Sequence, residues 1–264
     1  MIVTITQLWI YPVKALGGAR VERARVDDRG LEGDRRFMVV DPEGRFLTQR
    51  RHPRMACVRA RLDGPTLRLE HAGGALAVAR EVEGPAREVR VWEDRVSAVD
   101  AGDEAAAWIS DAIGEHARLV RMPEATRRPA DPRYARAGDL VSFADGFPFL
   151  LVSESSLEAL AARLEAPIDV RRFRPNLVVG GAPAWSEDRW RELETGGLRL
   201  LVRKPCGRCR VVNVDPDRGT AGTEPLATLA TFRTEGHAVI FGQNLVHDGV
   251  GELSAGEPAR VTAG

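Results

Sequence analysis

The chain has 264 residues, 44% of them hydrophobic and 29% charged, which is typical of a globular protein with one large domain or two small ones. Its 38 basic residues balance its 38 acidic ones, so no overall field attracts nucleic acid or a membrane surface. No apolar run approaches the roughly 20 residues of a membrane helix, and the start lacks a signal-peptide pattern. We therefore expect a cytoplasmic protein without nucleic-acid or membrane partners.

Patterns in the first half predict mostly β-structure. Phe37–Val40 and Arg45–Thr48 flank the sequence Asp-Pro-Glu-Gly, which predicts a hairpin closed by a type I turn. Further short apolar runs predict strands at 66–69, 75–79 and 89–92. Many short strands without a long helix indicate a small barrel or sandwich.

A helix is predicted from Asp103 to Ile113, with Asp103 as its cap. The segment 121–139 follows it, rich in Pro, Arg, Ala and Asp and without clear periodicity. It predicts a long surface loop or an interdomain connection. We expect the domain boundary close to it.

The second half mixes strands and helices. A buried strand is predicted at 147–152, leading into a hydroxyl-rich helix start at 153–156, where Ser155 and Glu158 have capping-box spacing. Such a helix start is a natural anion site, although an ordinary N-cap is the alternative. A third helix is predicted at 223–234.

An arginine-rich segment precedes the next predicted strand. Arg171, Arg172 and Arg174 could fork onto a phosphate, and the alternative is a solvated loop. Asn176, just after a proline, could exchange hydrogen bonds with a heterocycle. The segment is therefore a second candidate anion site.

Two cysteines three residues apart, Cys206 and Cys209, lie between two apolar runs that predict strands. Arg203, Lys204, Arg208 and Arg210 flank them, and nearby cations favour a thiolate at neutral pH. That thiolate could be a nucleophile, a ligand for a soft metal, or part of a site for a larger anion.

Zinc normally takes four ligands, whereas Cys57 is isolated and His237 and His247 are too widely spaced for a finger. A thioredoxin-like pair needs a helix N-terminus after the motif, and extended sequence is predicted there. Three cysteines, with Cys57 on its own, do not make a disulfide framework in a chain of this length. One working thiolate beside a pocket for an anionic cofactor is the reading that is left.

Seven motifs carry a resemblance over nearly the whole chain. They are YPVK at 11–14, GDRRFMVV at 33–40, FRPN at 173–176, CGRC at 206–209, VDPDRG at 214–219, EPLATL at 224–229 and FGQN at 241–244. In this order they resemble the MOSC-domain proteins, and within them the two-domain branch that contains the mitochondrial amidoxime-reducing components and their bacterial relatives.

The resemblance implies a mainly β fold with a few helices. A MOSC N-terminal β-barrel domain, predicted at 1–118, would pack on a MOSC β-barrel domain at 119–264. The molybdenum cofactor, and not pyridoxal phosphate, would lie between them, with Cys209 as the molybdenum ligand and Cys206 as its neighbour. Its phosphate and pterin would be held by Lys14, Arg35, Ser153, Ser155, Arg172, Arg174 and Asn176.

The implied activity is molybdenum-dependent reduction of small N-hydroxylated compounds such as hydroxylamines, amidoximes and N-hydroxylated bases, by removal of the oxygen atom. Glu154 is the candidate proton relay. Relatives have serine where Ala15 stands, so one hydroxyl contact to the cofactor is expected to be missing. Without the ferredoxin-like domain of some relatives, the chain is expected to need a separate flavin, ferredoxin or cytochrome donor.

Two alternatives stay open. Cys209 could carry a persulfide, or the chain could bind the cofactor for delivery without reducing anything. A β-barrel binding module that has lost the cofactor is the third reading, against which Cys209, Arg174 and Asn176 argue because all three are intact.

Overall fold

The computed structural model describes residues 1–263, which contain twenty strands, three α-helices and four short 3-10 helices. The α-helices are α1 (Asp103–Ile113), α2 (Glu154–Ala161) and α3 (Leu226–Ala230), and the 3-10 helices are Pro53–Cys57, Val170–Arg172, Ser186–Arg189 and Arg210–Asn213. The strands are β1 (Ile2–Ile10), β2 (Val13–Lys14), β3 (Ala19–Val21), β4 (Arg23–Asp27), β5 (Gly30–Leu31), β6 (Phe37–Val40), β7 (Arg59–Asp63), β8 (Thr66–His71), β9 (Gly74–Ala79), β10 (Ala86–Val91), β11 (Asp94–Asp100), β12 (Arg118–Arg121), β13 (Phe149–Ser153), β14 (Leu177–Gly180), β15 (Trp190–Thr195), β16 (Leu198–Gly207), β17 (Thr234–Glu235), β18 (Ala238–Asp248), β19 (Gly251–Ser254) and β20 (Pro258–Ala263).

Seven strands close into a barrel in the order β13-β14-β1-β20-β15-β16-β18, and β18 pairs again with β13. The first strand of the chain is therefore part of a barrel otherwise built from the second half. Val3 and Ile5, then Leu8 and Ile10, are its buried residues. The bulge between Ile5 and Gln7 shifts the alternation by one residue, which keeps all four apolar side chains on the core side.

The first half forms smaller sheets, of which the largest has the order β10-β11-β12-β6-β2. All four residues of β6 are buried. Phe37 and Val39 pack with α1 in one apolar cluster, whereas Met38 and Val40 pack in another. Because successive side chains of a strand point to opposite faces, this continuous apolar run lies between two cores.

Several sequence predictions are confirmed. The hairpin turn has the Gly44 N–H donating to the Asp41 carbonyl over 3.0 Å, with Gly44 at a φ of 80°. The three further strands in the first half and the helix from Asp103 to Ile113 are all present. The fold is mainly β, as predicted.

Other local predictions were wrong. Asp103 is not the cap of α1, because Gly102 occupies that position. The Ser155–Glu158 capping box does not form, since α2 begins at Glu154 with Ser153 as its N-cap and no side-chain cap bond. The third helix is limited to Leu226–Ala230, and a 3-10 helix replaces the strand predicted after the cysteines.

The irregular segment predicted at 121–139 is present but extends over residues 122–148, and part of it is buried. Arg128 is 3% exposed and donates to the carbonyls of Ser142 and Ala144. The Ser142 hydroxyl donates to the Asp34 carbonyl over 2.6 Å. These bonds hold residues 142–145 against the first half. No helix within residues 1–263 is long and apolar enough to cross a membrane.

Candidate functional site

A cleft with a cavity volume of about 190 Å³ lies where the first half, the segment 144–147 and the barrel meet. We call it the central cleft. Six of the nine residues predicted for the site line it: Lys14, Arg35, Arg172, Arg174, Asn176 and Cys209. Cys206 and Arg208 line it as well. Segments distant in the sequence therefore bring one thiol pair and several cations together.

The cysteine loop begins where β16 ends. Pairing between β16 and β18 shifts register between Pro205 and Gly207, and Cys209 is the residue before the 3-10 helix at Arg210–Asn213. All three cysteines of the chain are free, and Cys209 is exposed. Arg208 donates from Nη1 to the Cys206 sulfur over 3.0 Å. Cys209 thus presents its thiol to the cleft, while Cys206 is held by its neighbour.

The Tyr11 ring contacts the guanidinium groups of two arginines that line the central cleft. Arg35 is 4.5 Å and Arg174 4.3 Å from the centre of its ring. Asp34 forms an ion pair with Arg35 and accepts a hydrogen bond from the Tyr11 N–H over 2.8 Å. Both arginines have positive φ, 49° for Arg35 and 57° for Arg174, a strained backbone that the surrounding contacts must hold.

The Arg174 guanidinium uses only part of its hydrogen-bonding capacity. Its Nη1 donates to the Leu16 carbonyl, whereas its buried Nη2 has no partner among the described residues. Burial, reinforced by the Arg35 guanidinium, lowers the pKa of Arg174 to about 10, so the group is charged at neutral pH. A buried charge with an unused N–H is a suitable donor for an anionic ligand.

Lys14 is buried and already paired. Its ammonium donates to the Phe143 carbonyl over 2.8 Å and forms an ion pair with Asp145. Burial lowers the pKa of Lys14, and the Asp145 carboxylate opposes this change. A phosphate reaching Lys14 would have to compete with Asp145.

Arg172 and Asn176 line the cleft with their side chains partly committed. Arg172 contacts Asp215 over 3.1 Å. The Asn176 amide accepts from the Leu150 N–H and donates to the Trp9 carbonyl, each over 3.2 Å. Asn176 therefore ties two barrel strands together where the sequence predicted a contact to a heterocycle.

The structure does not bring Ser153, Glu154 or Ser155 to the cleft. Glu154 accepts a hydrogen bond from the Thr6 hydroxyl over 2.6 Å, so its carboxylate is directed at β1. The hydroxyl of Ser153 is buried and has no partner within residues 1–263. The start of α2 at Glu154 lies beyond the far end of β13, four residues after Leu150, which does line the cleft.

Two family models match the chain. The model described as MOSC N-terminal beta barrel domain matches residues 2–116, and the one described as MOSC domain matches residues 139–260. The mitochondrial amidoxime-reducing component 1 of Mus musculus is 34% identical over 97% of this chain and 81% of its own length. The chain belongs to the MOSC family. The corresponding protein of Homo sapiens is also 34% identical, over 97% of this MOSC chain and 82% of its own.

The MOSC chain is also similar to part of a larger protein. The molybdenum cofactor sulfurase of Danio rerio is 33% identical over 92% of this chain, a match that spans only 32% of the sulfurase. Relatives of two kinds, amidoxime-reducing components and a molybdenum cofactor sulfurase, therefore match this chain over most of its length. The boundary predicted between residues 118 and 119 falls in the gap between the two matched regions, and it stays a prediction.

Three charged residues that line the cleft of this MOSC protein were not predicted as site residues. Arg208 donates from Nη2 to the Phe173 carbonyl over 2.8 Å, which ties the cysteine loop to the arginine-rich segment. Its place inside the cysteine motif was the available signal. Asp145 and Arg50 also line the cleft, and no local pattern distinguishes them from ordinary surface charges.

Proposed function

We propose that this MOSC protein is a molybdenum-cofactor-dependent reductase of N-hydroxylated compounds, with Cys209 as the molybdenum ligand. The observation that carries the proposal is the exposed Cys209 thiol in a cleft that also holds Lys14, Arg35, Arg172 and Arg174. Similarity to proteins named amidoxime-reducing components supports the substrate class. Hydroxylamines, amidoximes and N-hydroxylated bases share the N–O bond that would be cleaved.

The residues present fit such a cofactor. Within residues 1–263, no group of three or more His, Cys, Asp or Glu side chains could hold a metal. A metal bound here would therefore take most of its ligands from a cofactor. A thiolate suits a soft metal, and guanidinium groups suit a phosphate. The unpartnered Nη2 of Arg174 is the clearest orphan donor. When bound, the cofactor would supply two-electron chemistry that accepts an oxygen atom.

The chain's own residues would bind and orient. Arg35 and Arg174 are fixed by Tyr11, so their charges are already positioned before an anion arrives. Asp145 is the one carboxylate among the described residues lining the cleft. The Lys14 ammonium, together with the Trp92 N–H, holds the pKa of Asp145 well below its usual range. It is a poor proton donor at neutral pH, and we propose that protons enter from water at the cleft mouth.

The test is metal and pterin analysis of protein made in a host that supplies molybdenum cofactor. We expect about one molybdenum per chain in the wild type and loss of the metal in Cys209→Ala, because no group of three or more His, Cys, Asp or Glu side chains within residues 1–263 could hold the metal instead. Cys57→Ala is the matched control, since Cys57 lies outside the central cleft. A Cys209→Ser variant that keeps both metal and turnover would show that the ligand assignment is wrong.

A second candidate function is a carrier of sulfur or of the cofactor, supported by the similarity to a cofactor sulfurase. Cys209 would then hold a persulfide, and Arg208, 3.0 Å from the Cys206 sulfur, would offset negative charge at the loop. Intact-protein mass spectrometry before and after mild reduction measures one labile sulfur atom. A persulfide on Cys209, together with no turnover by reduced dye and substrate, would favour the carrier.

The electron donor is proposed to be a separate protein of the flavin, ferredoxin or cytochrome type. A reduced donor of each type, tested with the same loaded enzyme and one N-hydroxylated substrate, identifies it. Turnover with a chemical reductant but with none of the three would contradict this part of the proposal. The cytoplasmic location stays a prediction.

A further inference from the structure

A second concave surface, with a cavity volume of about 460 Å³, opens beside the central cleft. We call it the basic groove. The two share Phe46, Leu47, Thr48, Arg50 and Trp92 as wall residues, so the groove adjoins the central cleft. Five arginines line the groove against one carboxylate: Arg45, Arg50, Arg51, Arg90, Arg210 and Asp41.

The arginines of the groove differ in how their charge is balanced. Arg45 pairs with Asp41 over 2.7 Å, and Arg90 pairs with Glu93 over 2.8 Å. Arg50, Arg51 and Arg210 have no carboxylate within 4.0 Å among the described residues. The chain as a whole carries equal numbers of positive and negative groups, so an unbalanced trio beside the site is a local concentration of positive charge.

Two contacts hold Arg50 and Arg210 in place. The Arg50 guanidinium lies 4.7 Å from the centre of the Trp92 ring, and its buried Nε has no partner within residues 1–263. Arg210 donates from Nη2 to the Arg50 carbonyl over 3.0 Å. Like charges held together repel one another, and a phosphate that accepts several N–H bonds relieves the repulsion.

We propose that the basic groove binds the phosphate of a nucleotide whose N-hydroxylated base occupies the central cleft. The inference rests on the proposed reductase function and narrows its substrates to phosphorylated ones. A small ligand fits better than the face of a partner protein, because the groove is concave and adjoins the cleft through shared wall residues. A nucleotide-extended cofactor would present the same phosphate chemistry, so the test must separate the two sources.

The test compares binding of cytidine 5′-monophosphate and cytidine to the cofactor-loaded protein by calorimetry. Two or three charge-assisted hydrogen bonds predict at least roughly tenfold tighter binding of the nucleotide. The double variant Arg51→Gln with Arg210→Gln should lose this preference, and both side chains are exposed, so the fold should tolerate the change. Arg23→Gln is the matched control, because Arg23 is exposed and lies outside both surfaces.

Equal affinity of the wild type for nucleotide and nucleoside would overturn the proposal, as would a preference that the double variant retains. If the double variant slows only reduction of the protein by an acidic donor protein, the groove faces a partner and the proposal is also overturned. If acid denaturation of the loaded protein releases a nucleotide in equal amount to molybdenum, the phosphate belongs to the cofactor and the substrate assignment is overturned.

Turnover gives an independent readout. The ratio of kcat/KM for N4-hydroxycytidine 5′-monophosphate to that for N4-hydroxycytidine should exceed roughly tenfold in the wild type and fall toward one in the double variant. The binding arm needs no catalysis. Loaded protein that reduces neither compound but still prefers the nucleotide would refute the reductase and leave the phosphate site supported.

Discussion

The hydroxyl of Tyr11 offers a sharp test of how the cleft wall is stabilised. Its ring is 1% exposed and lies between the guanidinium groups of Arg35 and Arg174. The phenolic oxygen is buried and has no hydrogen-bond partner among the described residues. Tyr11→Phe removes that oxygen and keeps the ring that both arginines contact.

The expected gain follows from the desolvation of the hydroxyl. A buried hydroxyl without a partner costs about 1–3 kcal/mol in proteins, and cation–π contacts persist with phenylalanine. We therefore expect Tyr11→Phe to raise the free energy of unfolding of the cofactor-free protein by roughly 1–2 kcal/mol. For a chain of this length that corresponds to about 2–4 °C in Tm for each kcal/mol.

Urea denaturation followed by tryptophan fluorescence measures the difference. Tyr134→Phe is the matched control, because Tyr134 is 41% exposed and its hydroxyl is solvated, so the change should stay within about 0.5 kcal/mol. If Tyr11→Phe instead destabilises the protein by 1 kcal/mol or more, the hydroxyl has a partner, such as an ordered water, and the reasoning fails.

Three further predictions concern Arg128, the phenol of Tyr11 and Glu154. Arg128→Met should destabilise the protein by about 3 kcal/mol or more and lower cofactor retention, because it leaves the carbonyls of Ser142 and Ala144 unpaired. Urea denaturation measures the loss of stability, and metal analysis of the same preparation measures cofactor retention. Burial raises the pKa of Tyr11, so the folded state binds more protons, and wild-type stability should fall as pH rises above about 10 while Tyr11→Phe loses less; no divergence between the two pH profiles would count against this. Glu154→Gln should leave metal content and turnover unchanged, because Glu154 contacts Thr6 outside the cleft; a large loss of turnover would restore Glu154 as a proton relay.

Local patterns predicted the elements better than their assembly. The Phe37–Val40 strand and the Asp103–Ile113 helix follow from periodicity and turn residues, which act over a few positions. The pairing of β1 with β14 and β20 joins residues at least 169 positions apart, and nothing local encodes it. The capping box at Ser155 was wrong for a related reason, because β13 continues through Ser153 and sets where the helix starts.

The candidate site was predictable where chemistry is concentrated in a motif. Cys209 and Arg174 stand in short motifs that carry the family resemblance, and both line the cleft. Asp145 and Arg50 also line the cleft but stand in no such motif. In the sequence each is one charged residue among many, and only the fold places Asp145 beside Lys14 and Arg50 beside Trp92. A hydroxyl-rich helix start is a good local signal for an anion site, yet the position of α2 along β13 takes it away from the cleft.

Lys14 is one of two lysines in a chain of many arginines, and its environment explains why a compact ammonium suits the position. Its side chain is 8% exposed and forms an ion pair with Asp145, whose side chain is 71% exposed. Asp145→Asn would leave a buried charge without its counterion, a loss of roughly 1–3 kcal/mol because the carboxylate is still largely solvated.

The same change removes the group that competes with a phosphate for Lys14, so inorganic phosphate should bind the cofactor-free variant more tightly than the wild type. Titration calorimetry with phosphate, alongside urea denaturation, measures both effects. Weaker phosphate binding in a folded Asp145→Asn protein would mean that Lys14 needs Asp145 to stay charged, since burial alone lowers its pKa.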